Sequence, residues 1–224
     1  MIIQIAQGHQ PPPNPDGVTV VIDVIRAFTT SFHAFRGGAS RILPVPDPQA
    51  AFALRERYPD ALLAGEIDAL PIEGFQFGNS PWEISQADVR GRTLIMRTTN
   101  GVTATLNARP CAALFVAALV NAAATARAIK KLVPEKVVLV ASHPTGDEDV
   151  ACAEYISHLL GGSGITQDEA IARTRNARAA QKFYAGTHPR LRAVDIDMAA
   201  QCEAEGFAMR VADDDELTIQ ALPA

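Results

Sequence analysis

The sequence predicts an α/β protein with three layers, in which helices cover both faces of a mostly parallel mixed sheet and a small helix and strand extension follows at the C-terminus. Three observations carry that reading. Strand-like and helix-like segments alternate from residue 18 to residue 160, the rhythm of a parallel sheet with helical crossovers. The strand-like segments are unbroken aliphatic runs such as residues 18–22, as required of strands buried on both faces. A length of 224 residues with 48% hydrophobic and 20% charged content suffices for a sizeable core. One domain over residues 1–224 is expected, with residues 166–224 as an alternative subdomain.

A short first strand is expected before the Pro-rich loop of residues 10–17, which cannot be regular structure. The strand of residues 18–22 leads into a helix over 24–36, stopped by Gly37 and Gly38. A strand over 41–45 precedes a helix over 48–58, with Asp47 as N-cap and Pro48 in the first turn. A strand over 61–64, a loop to Ser80 and a helix starting at Pro81 follow. Then come the strand–helix pairs 93–97 with 99–108, 112–119 with 121–132, and 136–141 with 147–160. Residues 166–184, rich in Arg and Ala, read as one long helix with a polar face. A shorter helix near Met198 and two strands, 207–211 and 217–220, complete the chain as an antiparallel edge or a subdomain.

Net charge −5 argues against a nucleic-acid partner. The longest apolar stretch, residues 111–120, is too short to span a membrane. Cys111, Cys152 and Cys202 form no C-x-x-C pair, and an odd count fits reduced thiols. Residues 1–8 lack the features of a secretory signal. A cytoplasmic location is therefore expected, and self-association is left open.

In open α/β sheets ligands bind beyond the carboxyl ends of the strands, and polar residues collect there. Asp23 follows one strand, with Arg26, Thr29 and Thr30 in the helix it opens. Gly65 and Glu66 follow another, and Thr98, Thr99, Asn100 and Gly101 a third. Asn121 follows the fourth, and Ser142, His143, Thr145, Glu148 and Asp149 the fifth. The turn at 98–101 sets hydroxyls, an amide and a small residue at a helix start, where free N–H groups favour an anion. Arg26 adds a planar fork suited to phosphate, sulfonate or carboxylate. Asp23, Glu66, Glu148 and Asp149 are hard oxygen donors of the kind Mg²⁺ accepts. An anion cradle beside metal-binding carboxylates points to phosphoryl chemistry.

Each feature also has a purely structural reading: Asp23 as an N-cap, residues 98–101 as a capped turn, and Glu148 and Asp149 as first-turn acids stabilised by the helix dipole. His143 reads as a surface loop residue and Cys152 as an apolar packing group. Phosphate-loop, dinucleotide, H-E-x-x-H and G-x-S-x-G motifs are absent. The pair Asp195 and Asp197 has the D-x-D spacing of haloacid-dehalogenase phosphatases, but lies near the C-terminus without the following Thr or Val and is set aside.

Three stretches are more specific. They are residues 21–30 (Val-Ile-Asp-Val-Ile-Arg-Ala-Phe-Thr-Thr), residues 72–81 (Ile-Glu-Gly-Phe-Gln-Phe-Gly-Asn-Ser-Pro) and Thr98-Thr99-Asn100-Gly101. With Gly65-Glu66 and residues 148–153, this ordered set resembles the 2-phosphosulfolactate phosphatase family of coenzyme M biosynthesis. The resemblance implies a Mg²⁺-dependent acid phosphatase that converts 2-phospho-3-sulfolactate to 3-sulfolactate on an α/β/α fold. Asp23, Arg26 and Asn100 are the expected catalytic residues. Thr29, Thr30, Asn79, Thr98, Thr99, Gly101 and Asn121 are the expected substrate contacts, and Asp23, Glu66, Glu148 and Asp149 the candidate metal ligands. The expected partner is a small anionic phosphorylated molecule. A lyase or isomerase of a phosphorylated hydroxy acid would use the same parts, as would a non-catalytic anion-binding protein. The sequence departs from the family's pattern at residues 67–71, 142–146 and 188–189, in loops expected to shape the pocket.

Overall fold

The computed structural model describes residues 1–186, 188–213 and 216–223. The strands are β1 (Ile2–Gln7), β2 (Asn14–Ile22), β3 (Arg41–Pro44), β4 (Leu62–Ile67), β5 (Leu70–Pro71), β6 (Thr93–Arg97), β7 (Cys111–Ala117), β8 (Lys136–Ala141), β9 (Phe207–Asp213) and β10 (Leu217–Pro223). The helices are α1 (Ala27–Arg36), α2 (Pro48–Arg57), α3 (Pro81–Ser85), α4 (Gly101–Asn107), α5 (Ala122–Leu132), α6 (Asp147–Leu159), α7 (Gln167–Asn176), α8 (Arg178–Tyr184) and α9 (Ala193–Ala199). The expected α/β fold with a mostly parallel mixed sheet is present.

Local chemistry sets several boundaries. Asp47 accepts from the Ala50 N–H at 2.7 Å and caps α2, as its place before Pro48 predicted. Helix α1 begins at Ala27, three residues later than expected, because the Asp23 carboxylate takes the Ala27 N–H and leaves Val24 to Arg26 as a bend. The long helix expected over 166–184 is two helices. Ala177, with ψ of 145°, leaves helical geometry between α7 and α8 and redirects the chain.

The strand order is β1-β8-β2-β7-β9-β10-β3-β6-β4-β5. Strands β1, β8, β2 and β7 form one parallel block, and β3, β6 and β4 a second. The C-terminal hairpin was expected at an edge or in a subdomain. It lies between the two blocks instead, antiparallel to both neighbours. Met209, Val211 and Ile219 explain the placement, since they pack with Leu114 of β7 and Ile42 of β3 in one cluster.

This hairpin has a consequence for function. Successive antiparallel steps make the two blocks run in opposite senses, so a flat sheet would send their carboxyl ends to opposite sides. Yet the Gly101 N–H, just after β6, donates to the Asp23 carboxylate, just after β2, at 2.8 Å. Sheet twist reconciles the two facts. At about 20–25° per strand pair, the five interfaces from β2 to β6 turn the direction by about 100–125°. The carboxyl ends of the two blocks therefore converge.

Strand β2 is buried on both faces, as its unbroken run predicted. Val21 packs with Phe28, Phe32, Met96 and Val140 on one side. Val20 and Ile22 pack with Phe115, Ile129, Leu139 and Ile156 on the other. No helix among the described residues is long and apolar enough to cross a membrane.

Candidate active site

Where the carboxyl ends converge there is a cleft of about 260 Å³. Of the residues singled out in the sequence, Asp23, Arg26, Glu66, Asn79, Thr99 and Asn100 line it.

Asp23 is both an N-cap and more than an N-cap. Its Oδ1 accepts from the Ala27 N–H at 2.9 Å, and its Oδ2 from the Gly101 N–H at 2.8 Å. The carboxylate is thus clamped between the starts of α1 and α4. Gly101 must be glycine for this, since a Cβ there would lie 2.7 Å from Asp23 Oδ2. Glu66 mirrors the arrangement from β4. Its Oε1 accepts from the Thr99 N–H at 2.6 Å, and its Oε2 from the Ala69 N–H and, at 3.2 Å, the Thr99 hydroxyl. Gly65 lets β4 approach β6, because a Cβ there would lie 2.0 Å from the Arg97 carbonyl oxygen.

These contacts correct one expectation. The N–H groups of the 98–101 turn were read as a cradle for a bound anion. Those of Thr99 and Gly101 already hold the protein's own carboxylates, and the Thr98 hydroxyl takes the Val102 N–H at 3.0 Å. With those two N–H groups taken, side chains are the main groups left to grip an anion.

Arg26 is the first of these. Its side chain is 4% exposed, and Nη1 donates to Oδ2 of the fully buried Asp195 at 2.8 Å. Nη2 donates to the Ala69 carbonyl at 3.2 Å, and the guanidinium lies 4.6 Å from the centre of the Phe183 ring. Asp195 is itself held by the Ser80 hydroxyl at 2.7 Å and the Trp82 N–H at 3.3 Å. The D-x-D spacing therefore marks no phosphatase motif, but its first residue anchors Arg26. The anchor extends to Asp68 and Ala69, a two-residue hairpin turn with φ of 52° and 71°. Non-glycine residues seldom adopt this region, and the Glu66 and Arg26 bonds to Ala69 brace it.

Asn100 Oδ1 accepts from the His9 ring Nε2–H at 2.7 Å. Asn79 is buried, and its Oδ1 has no partner among the described residues. Two nitrogen bases also line the cleft. His143, expected in a surface loop, is one. Its Nδ1 accepts from the Thr145 N–H at 3.1 Å, so the neutral ring carries its proton on Nε2. Burial and the nearby Lys182 and His9 lower its pKa. Lys182 of α8 is the other, with a pKa lowered by burial and by Arg26, against the opposing effect of Glu66, Glu148 and Asp68. The break at Ala177 that points α8 at the cleft has no Gly or Pro signal in the sequence.

The remaining candidates do not line the cleft. The Thr29 hydroxyl donates to the Val24 carbonyl at 2.8 Å, and Thr30 is buried beneath. Asn121 Oδ1 accepts from the Ala118 N–H at 2.9 Å and shapes the turn after β7. Asp149 accepts from the Val24 and His143 N–H groups at 2.8 and 3.0 Å and from the Ser142 hydroxyl at 3.3 Å. It ties the loops after β2 and β8 together behind the cleft. Glu148 is buried nearby, and its Oε2 has no partner among the described residues.

The carboxylates act on one another. Burial, with the charge of Glu66, raises Asp23 to about 6 against the pull of the Ala27 and Gly101 N–H groups and of Arg26. Burial, Asp23 and Asp147 raise Glu148 to about 7. Burial, Asp23 and Glu148 hold Asp149 well above the usual range. The cleft itself presents Asp23, Glu66 and Asp68 against Arg26 and Lys182. Since Arg26 is already paired with Asp195, an entering phosphate dianion meets excess negative charge. A divalent cation would relieve it.

The donor set fits such an ion in one form only. Among the described residues no three His, Cys, Asp or Glu side chains stand close enough to enclose a metal. Mg²⁺, however, keeps several waters and takes one or two protein carboxylates. Asp23 and Glu66 retain lone pairs beyond their N–H contacts. Asp149, which does not line the cleft, is not suited to the role.

A family model described as 2-phosphosulpholactate phosphatase matches residues 4–196. A Bacillus subtilis protein named probable 2-phosphosulfolactate phosphatase is 43% identical over 220 residues, covering 97% of this chain and 96% of the relative. Proteins of the same name from Deinococcus radiodurans and Thermus thermophilus are also similar. The first is 42% identical over 163 residues, covering 71% of this chain and 68% of its own. The second is 36% identical over 174 residues, covering 76% and 71%.

Proposed function

Because the chain belongs to the 2-phosphosulfolactate phosphatase family, we propose that its cleft hydrolyses the phosphate monoester of a small hydroxy acid, 2-phospho-3-sulfolactate, to 3-sulfolactate and phosphate. One observation supports this beyond the family: the convergence of Arg26, Lys182, Asn79 and Asn100 on the clamped carboxylates Asp23 and Glu66.

The reaction joins a water oxygen to phosphorus and breaks the ester P–O bond. The water yields a proton and the departing alkoxide takes one. Phosphate-monoester hydrolysis is among the slowest uncatalysed reactions, so positioning and charge stabilisation must supply most of the acceleration. Arg26, held still by Asp195 and Ala69, offers its remaining N–H groups to the equatorial oxygens. Lys182 adds a second positive charge, and the His143 Nε2–H a neutral donor. Asp23 accepts the water's proton, and a carboxyl titrating about 6 is well placed to take and release protons near neutrality. Its two backbone contacts fix the direction in which the remaining lone pairs point. Mg²⁺ carried by Asp23 and Glu66 with its own waters would offset the cleft's negative charge and polarise a phosphoryl oxygen.

Release of inorganic phosphate from 2-phospho-3-sulfolactate and from p-nitrophenyl phosphate, with and without Mg²⁺, tests the reading. Hydrolysis that rises with Mg²⁺ is the expected result. A lyase, an isomerase or a binding protein would release no phosphate from p-nitrophenyl phosphate, which can neither eliminate nor isomerise.

A further inference from the structure

A second cleft, about 370 Å³, adjoins the first and shares His143, Ala179 and Lys182 with it. Its other walls are Thr145 and Gly146 at the entry to α6 and Arg178 at the start of α8. We propose that this cleft binds the substrate's second acid group, the one not being hydrolysed, through Arg178, with Lys182 between the two clefts facing both groups. The proposal rests on the phosphatase reading and assigns the residues that select the substrate.

The two clefts differ in sign. The first mixes carboxylates with cations, whereas the second is lined by Arg178, Lys182 and His143 with no carboxylate. A phosphate with an accompanying metal suits the first, and a bare strong acid the second. Arg26, Arg36, Arg173 and Arg190 each have a carboxylate partner. Among the described residues neither Arg178 nor Lys182 has one, and other cations, such as Arg41, Arg127 and Arg175, also lack one. What sets Arg178 and Lys182 apart is that both face one cleft. They stand four residues apart on one helix, where like charges repel. An anion bridging them removes the repulsion.

The backbone supports the same role. Were α7 continuous with α8, this segment would keep the direction that serves Arg173, whose side chain pairs with Asp147 and Glu154. The extended geometry at Ala177 breaks that direction, and α8 then presents Arg178 and Lys182 to the cleft. The His143 Nε2–H, its orientation set by the Thr145 N–H on Nδ1, supplies a donor at the junction of the two clefts. A guanidinium grips two oxygens of one carboxylate or sulfonate at once, and both groups are anionic at neutral pH.

The test compares the wild type with Arg178→Met and Arg178→Lys on three esters: 2-phospho-3-sulfolactate, 2-phospholactate and p-nitrophenyl phosphate. The readout is kcat/KM for each acid ester divided by that for p-nitrophenyl phosphate, which has no second acid. For Arg178→Met the ratio is expected to fall about ten- to a hundredfold through KM, with partial recovery in Arg178→Lys. A fall for 2-phospho-3-sulfolactate alone assigns the cleft to the sulfonate, and a fall for both acid esters assigns it to the carboxylate. Calorimetric titration with 3-sulfolactate gives a second readout that needs no turnover. If the protein hydrolyses none of the esters yet Arg178→Met weakens 3-sulfolactate binding, the phosphatase reading fails and the acid cleft stands. Unchanged ratios, or unchanged 3-sulfolactate affinity, would overturn the proposal.

Discussion

Replacing Arg26 by Lys keeps the charge and removes the fork, and the structure lets the two effects be separated. Arg26 binds Asp195 at 2.8 Å and the Ala69 carbonyl at 3.2 Å, and rests against Phe183. A lysine ammonium can still face Asp195, so the buried carboxylate is not left without a counter-charge. The stability loss should then be about 1–2 kcal/mol, from the Ala69 bond and the ring contact. Arg26→Met, which strands buried Asp195, should cost about 3–5 kcal/mol. For catalysis, the lysine that satisfies Asp195 cannot also reach the phosphate. Loss of one charge-assisted hydrogen bond at about 1.5–3 kcal/mol lowers kcat/KM about ten- to a hundredfold. Since the phosphate is assigned to Arg26 and the remote acid to Arg178, kcat should fall while KM holds. Steady-state kinetics with urea unfolding of both variants measure these quantities. Wild-type kinetics in Arg26→Lys would remove Arg26 from the phosphate site, and a rise in KM alone would move it to the acid group.

Three further outcomes follow from the same geometry. Gly101→Ala drives a Cβ to 2.7 Å from Asp23 Oδ2 and 2.8 Å from Asp23 Cβ. Displacing that carboxylate should lower kcat/KM by about a hundredfold, at a stability loss of only about 1–2 kcal/mol, and near-normal rates would show that the clamp is not needed. A chelator should abolish activity while circular dichroism and the urea midpoint stay constant, because the metal reading involves few protein ligands; unfolding by the chelator would refute it. His33, buried on α1 and near Arg36, titrates at about 4 rather than 6.5, burial being the main cause. The unfolded chain therefore takes up this proton first, so stability is full above pH 6.5 and lost as pH falls towards 4. His33→Phe should lose less stability between pH 7 and pH 5 than the wild type, and equal losses would clear His33 of the effect.

Local chemistry made much of this protein readable from its sequence. Strands β6 and β8 fall where their aliphatic runs place them, and Asp47 caps α2 as its setting before Pro48 requires. The strand-end rule brought Asp23, Glu66, Thr99 and Asn100 to one cleft because each follows a strand, while Asn79 came from the family resemblance alone. What was hidden depended on distant partners. Residue type places Asp149 in a first helical turn, but does not say whether its oxygens face a ligand or the Val24 and His143 N–H groups. Asp195 is 169 positions from the arginine it anchors. The hairpin of β9 and β10 looks like an edge by composition and is central because Met209 and Ile219 fill a gap between blocks formed far earlier in the chain. The turn that aims Lys182 at the cleft occurs at Ala177, after Asn176 but with no Gly or Pro to mark it.

The central claim is that an ester is hydrolysed where the two strand blocks converge, with Asp23 as the group that moves the proton. Release of inorganic phosphate from 2-phospho-3-sulfolactate by the wild type and by Asp23→Asn, both shown to be folded, measures it directly. Asparagine keeps an acceptor for one N–H but can neither take the proton nor carry the charge. Wild-type turnover with a loss of about a thousandfold in the variant is the predicted result. Turnover that persists in Asp23→Asn would contradict the account.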